Sequence, residues 1–140
     1  MEKADAFGGT SAISGGAVWL YGTDQARDAG AKDSPEAMRT YLKQVIGDGY
    51  DPALGDAFIE HGHQALRWLE QNTELRYALR PLSPDYYPDA PGATQFGRAL
   101  EMVEYDGKHL GTRFKDLQMP PPGMLLFGGM MVNRVDIQHF

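Results

Sequence analysis

Apolar residues are scarce over the first sixteen positions and then fall into short periodic groups. The first group is the run Ala17-Val18-Trp19-Leu20 with Tyr21 beside it, and a polar stretch, 24–33, follows that reads as a linker. Ser34, Pro35 and Glu36 carry the signs of a helix start: a hydroxyl to cap free amides, a proline at the first helical position, and an acid in the first turn. Met38, Tyr41, Leu42, Val45 and Ile46 recur at helical spacing, and Gly47 and Gly49 end the stripe. Asp51-Pro52 repeats the start signal. Leu54, Ala57 and Phe58 give the apolar face of a second helix, Gly62 is a candidate break or kink, and Ala65, Leu66, Trp68 and Leu69 form its continuation or a third helix. Leu75, Tyr77 and Leu79 alternate with Arg76, Ala78 and Arg80, the period of a half-buried strand.

Beyond residue 80 the pattern weakens. Pro81, Pro84, Pro88 and Pro91, with Gly92 and Gly97, exclude regular structure over 81–97. Leu100, Met102 and Glu104 alternate with Glu101, Val103 and Tyr105, an ambiguous strand signal; Asp106-Gly107 reads as a hairpin turn, and a short helix fits around 112–117. Pro120-Pro121-Pro122 forces an extended segment. Composition sharpens this picture only in places. A chain of 140 residues with 17 Gly and 9 Pro fits one modest domain rich in loops. A net charge of −6 without a basic run excludes a nucleic-acid face. Without cysteine there is neither disulfide nor thiol chemistry. No apolar run approaches membrane-spanning length, and the first residues lack a signal-peptide pattern, so the default expectation is cytoplasmic.

The chemistry gathers in residues 1–16. Glu2 and Lys3 precede Gly8-Gly9-Thr10-Ser11 and Ser14-Gly15-Gly16. Glycine pairs let the backbone approach a ligand closely, hydroxyls and amides around them bind phosphate oxygens, and a leading acid can accept hydrogen bonds from a ribose. The plain alternative is a flexible glycine loop behind a solvated terminal Glu. The run resembles the flavoprotein family of fumarate reductases, succinate dehydrogenase flavoprotein subunits and 3-ketosteroid Δ1-dehydrogenases. In that family an acidic residue is followed by Lys or a small residue, then by F-G-G, two hydroxyl residues, two variable positions and S-G-G. Phe7-Gly8-Gly9-Thr10-Ser11 and Ser14-Gly15-Gly16 keep order and spacing, and Val18-Trp19 is similar to the ketosteroid-dehydrogenase branch.

The resemblance implies an α+β chain: part of a Rossmann-type FAD-binding domain over 1–30, then the start of an inserted cap or catalytic domain, or a connecting region, over 31–140. It implies FAD as cofactor, with Glu2 on the ribose and Lys3, Gly8, Gly9, Thr10, Ser11, Ser14, Gly15 and Gly16 along the nucleotide and flavin. The family's G-x-G-x-x-G loop is nowhere in this sequence. The expectation is therefore a fragment truncated at both ends that binds FAD weakly or not at all by itself and is inactive alone.

Asp85-Tyr86-Tyr87-Pro88 is the second point of interest. Paired tyrosines in a proline-rich loop can give one ring to the core and one phenol to a cleft. A phenol serves in proton transfer if its pKa of about 10 is lowered or another base works with it. The resemblance implies that Tyr86 assists proton abstraction during hydride transfer to flavin; the alternative is a loop-packing tyrosine. His61 and His63, two apart with no third ligand, do not make a metal site. No G-x-S-x-G occurs. Arg76, Arg80 and Arg98 could bind a carboxylate substrate, as in fumarate reductases, or form a solvated strand face. Met124, Phe127, Met130 and Met131 could line an apolar substrate wall or an ordinary core. The functional expectation is thus an FAD-dependent dehydrogenase acting on a C–C bond next to a ketone, with a steroid-like hydrophobic substrate. The alternatives are a fumarate-reductase-like flavoprotein and a cap-like binding module without flavin.

Overall fold

Residues 3–119 are described by the computed structural model. They fall into two units, one of residues 3–14 with 106–119 and one of Gly15–Tyr105. The larger unit runs β1 (Val18–Trp19), α1 (Asp24–Asp28), α2 (Pro35–Ile46), α3 (Pro52–Asn72), β2 (Tyr77–Leu79) and β3 (Ala99–Met102). This is the expected mixture of helix and small sheet. The strands form one antiparallel sheet in the order β1-β3-β2, with Val18 opposite Leu100 and Ala78 opposite Glu101.

The helix starts follow from their caps. The Ser34 hydroxyl accepts from the Ala37 amide at 3.0 Å, and the Asp51 carboxylate accepts from the amides of Ala53 and Leu54. Gly47 ends α2 at φ 63°, in the left-handed region that glycine tolerates. Gly62 neither breaks nor kinks the next helix: α3 is continuous over 21 residues. A Cβ at Gly62 would lie 2.9 Å from the Leu20 side chain, so the glycine serves close packing. The half-buried strand also forms, Tyr77 and Leu79 turning inward and Ala78 outward.

Four readings change. The stretch 24–33 contains α1, capped by the Thr23 side chain and seated by buried Ala26. A five-residue helix is too short to show a period. The inner face of α3 is Gly55, Ile59 and Leu66, not Leu54 and Phe58; Leu54 is 71% exposed. On α2 only Met38 and Tyr41 of the expected stripe are buried, while Val45 and Ile46 are exposed. Asp106-Gly107 makes no hairpin, because the Asp106 carboxylate caps a 3-10 segment, Gly107–Asp116, by accepting from the Lys108 amide. The core of the larger unit is built from Ala26, Met38, Tyr41, Ile59, Leu66 and Leu100.

In the smaller unit Phe7 pairs in parallel with Leu117. The Phe7 amide donates to Asp116 and the Gln118 amide donates to Phe7, each at 2.9 Å. Glu2, the segment Pro120-Pro121-Pro122, and Met124, Phe127, Met130 and Met131 lie outside the described residues.

Candidate functional site

In the smaller unit, Gly8 (φ 110°) turns the chain into a 3-10 segment, Gly9–Ile13. A side chain at Gly8 would meet the Ala12 Cβ at 2.7 Å, so the turn requires glycine. A Cβ at Gly9 would meet nothing within 4 Å, and Gly9, Thr10 and Ser11 are exposed. The first amides of a helical turn have no partner within it. The segment therefore presents small residues, hydroxyls and amides toward open space, a donor set that suits phosphate oxygens. Lys3 and Ser14 are exposed in the same unit. Gly15 and Gly16 begin the larger unit. Gly15 borders open space, and Gly16 (φ 66°) sits in the left-handed region against the Met102 side chain. In type and exposure Gly9, Thr10 and Ser11 of the smaller unit fit the phosphate oxygens of a nucleotide such as that of FAD.

The proline-rich loop of the larger unit is closed on itself. The Asp85 amide donates to the Thr94 carbonyl at 3.0 Å, and the Thr94 amide donates to the Asp85 carboxylate at 2.9 Å. Beneath the loop lies Arg98, 1% exposed. Its Nε and Nη2 donate to the two oxygens of Asp33 at 2.7 Å each, Nη1 donates to Asp85 at 2.8 Å, and Nη2 also donates to the Gly92 carbonyl at 2.9 Å. Trp19 Nε1 donates to the other Asp85 oxygen at 2.7 Å. The guanidinium carbon lies 5.6 Å from the Trp19 ring centre and 5.5 Å from that of Tyr41. One cation thus faces two carboxylates. The extra negative charge is met by the Trp19 indole and the amides of Ser34 and Thr94.

This cluster was not apparent in the sequence as a unit. Arg98 entered as a candidate for a substrate carboxylate, but its donors are committed inside the fold. Arg76 and Arg80 are engaged only in part and at the surface: Arg76 Nη1 donates to the carbonyls of Glu70, Thr73 and Leu75, and Arg80 Nε donates to Glu101 at 3.2 Å. The tyrosine pair differs from its expectation as well. Asp85 is the buried member of the motif, while Tyr86 is 98% and Tyr87 61% exposed, so neither ring enters the core. The Tyr87 amide donates to the Tyr41 hydroxyl at 3.3 Å, which ties the loop to α2.

A groove of about 540 Å³ lies elsewhere in this unit, lined by Tyr21, Arg39, Asp56, Glu60 and His63 among others. Burial and the nearby Asp33 and Glu36 raise the Tyr21 pKa, which keeps its phenol protonated. Among the described residues no group of His, Asp and Glu is placed to hold a metal ion, and no helix is long and apolar enough to cross a membrane.

The family described as FAD binding domain matches residues 1–137. The 3-oxosteroid 1-dehydrogenase of Mycobacterium tuberculosis is 36% identical over 118 residues, which are 84% of this chain and 21% of that protein. The 4-oxocyclohexanecarboxylate 2-dehydrogenase of Sinomonas cyclohexanicum is 38% identical over 101 residues, 72% of this chain and 18% of that protein. The crystal structure of 3-ketosteroid delta1-dehydrogenase from Sterolibacterium denitrificans in complex with 1,4-androstadiene-3,17-dione superposes with a TM-score of 0.84. It is 36% identical, over 95% of this chain and 23% of that one. The chain spans about a fifth of the length of these relatives.

Proposed function

Since the chain belongs to the FAD binding domain family, we propose that it forms part of an FAD-dependent dehydrogenase acting on a ring carbon pair next to a ketone, in a steroid-like substrate. The observation that carries this reading is the exposed phenol pair, Tyr86 and Tyr87, on a loop held from below by Arg98. Such a loop offers phenol hydroxyls to a ligand while its own ends are held by hydrogen bonds. The likeness to steroid and oxocyclohexane dehydrogenases supports the same substrate class.

FAD, when bound, supplies the hydride acceptor. Gly8, Gly9, Thr10, Ser11, Ser14, Gly15 and Gly16 would lie along the nucleotide and flavin, the glycines allowing close approach and the hydroxyls donating to phosphate oxygens. Lys3 adds a positive charge there, and Glu2 is assigned to the ribose. Tyr86 assists removal of the proton from the carbon beside the one that loses hydride, so that a C=C bond conjugated with the ketone is left. In this reading residues 1–30 belong to a Rossmann-type domain and 31–140 to the cap or its connection. A fumarate-type substrate is not favoured by Arg98, whose donors are spent on Asp33, Asp85 and Gly92 inside the fold.

The test is anaerobic mixing of the longer, flavin-loaded protein that this reading calls for with a 3-oxosteroid, following the bleaching of oxidised flavin. The expected result is bleaching that slows by about 10²- to 10⁴-fold in Tyr86→Phe, the usual range for a proton-transfer group. Unchanged bleaching in Tyr86→Phe would remove Tyr86 from the reaction, and no bleaching by the unaltered protein would remove the substrate class.

A further inference from the structure

Both ends of the tyrosine loop converge on one guanidinium. At the first end, Asp85 receives Arg98 Nη1, the Trp19 indole and the Thr94 amide. At the second end, the Gly92 carbonyl receives Arg98 Nη2 at 2.9 Å. Gly92 has φ +79°, and a Cβ there would run into the Ala37 carbonyl and the Tyr41 amide of α2, so this end of the loop lies directly on helix backbone. Between these anchors the rings of Tyr86 and Tyr87 stand largely in solvent; the backbone turns through the Ala90 amide donating to the Tyr87 carbonyl, and the Tyr87 amide donates to the Tyr41 hydroxyl. Arg98 is itself fixed from behind by both oxygens of Asp33. Three acceptors in three directions suit a planar fork of donors. An ammonium in the same place is a point charge on a flexible stem and reaches fewer of them at good geometry.

We propose that Arg98 is the positioning residue of the tyrosine loop: by binding Asp85 and Gly92 together it sets where the Tyr86 phenol stands. This assignment rests on the reading of Tyr86 as the phenol that meets substrate, and it adds a residue that is buried and touches no ligand. Asp85 is its partner in the task, and Asp33 holds the arginine in register. The arrangement makes the loop's geometry depend on a charged contact rather than on apolar packing of the loop's own rings.

The experiment uses the full 140-residue chain. Chymotrypsin cuts after aromatic residues unless proline follows, so the Tyr86–Tyr87 bond is a site and the Tyr87–Pro88 bond is not. Cleavage at Tyr86–Tyr87 is followed by mass spectrometry under native conditions, with circular dichroism as the check on α2 and α3. A second readout is the fluorine resonance of Tyr86 in chain labelled with 3-fluorotyrosine, assigned by its loss in Tyr86→Phe. Arg98→Met is expected to raise cleavage by about 10- to 100-fold, the effect of losing hydrogen bonds to charged groups on the open population, and to shift the resonance. Arg98→Lys is expected to recover part of both, whereas Arg80→Ala, which leaves the loop untouched, is expected to change neither. If Arg98→Met does not fold, Asp85→Asn decides, since it removes a charge from the loop side and leaves the Arg98–Asp33 pair. A folded Arg98→Met or Asp85→Asn chain with cleavage and resonance unchanged overturns the assignment. The flavin-bleaching test of Tyr86→Phe stands apart: a loosened loop with full activity in Tyr86→Phe would sink the catalytic reading while the contact between Arg98 and the loop stood.

Discussion

Asp24 accepts from Arg67 Nε at 2.7 Å and Nη2 at 2.6 Å, and Arg27 also pairs with it. The hydrogen bonds from Arg67 lower its pKa below the ordinary value of 3.8, more than partial burial raises it. A carboxyl whose folded pKa is depressed adds stability above its unfolded pKa and loses it as pH falls through the folded one. The difference in urea midpoint between the unaltered chain and Asp24→Asn is therefore expected to be level at neutral pH and to shrink once the pH drops below about 4. The contact is half exposed, so added salt should narrow the difference too. At this scale the sequence was informative where chemistry is local. Gly8, Gly9, Thr10 and Ser11 stand together in one turn, as glycines and hydroxyl residues adjacent in sequence lead one to expect. Asp33, Asp85 and Arg98 gave no such sign, because the pairing spans 65 and 13 residues and no period or motif joins them.

Secondary elements were most legible where a cap and a proline coincide. Ser34-Pro35 and Asp51-Pro52 open α2 and α3 as expected, since each supplies an acceptor for free amides just where φ is already set. Asp51 serves two amides, so Asp51→Ala is expected to cost about 1 kcal/mol, read as a lower midpoint in urea unfolding followed by helical circular dichroism. Which face of α3 turns inward was less legible. Leu54 and Phe58 are one position away from Gly55 and Ile59, and burial of a glycine cannot be inferred from hydrophobicity. Tyr50 and Leu20 occupy the space beside Gly55 and Gly62, a tertiary fact that overrides the apolar pattern. The Asp106-Gly107 signal failed for a related reason: an Asp that suits a turn also caps a helical segment, and the residues after it decide between the two.

For the molecule as a whole, the match to the FAD binding domain family covers residues 1–137, while the sequence holds no G-x-G-x-x-G loop for the pyrophosphate. The 140-residue chain is therefore expected to quench FAD fluorescence only weakly and without saturation; tight stoichiometric quenching would mean that the glycine segment suffices for a site. The two tryptophans also differ in a way that has a practical consequence. Trp68 stands 61% exposed on α3, whereas Trp19 donates to Asp85 and lies near Phe58 and Tyr41. Iodide in the buffer should darken the first more than the second, which is half-buried. The remaining emission then comes mainly from an indole whose N–H touches the very carboxylate that anchors the loop, so the chain carries its own optical gauge of that loop, readable in real time and without a label.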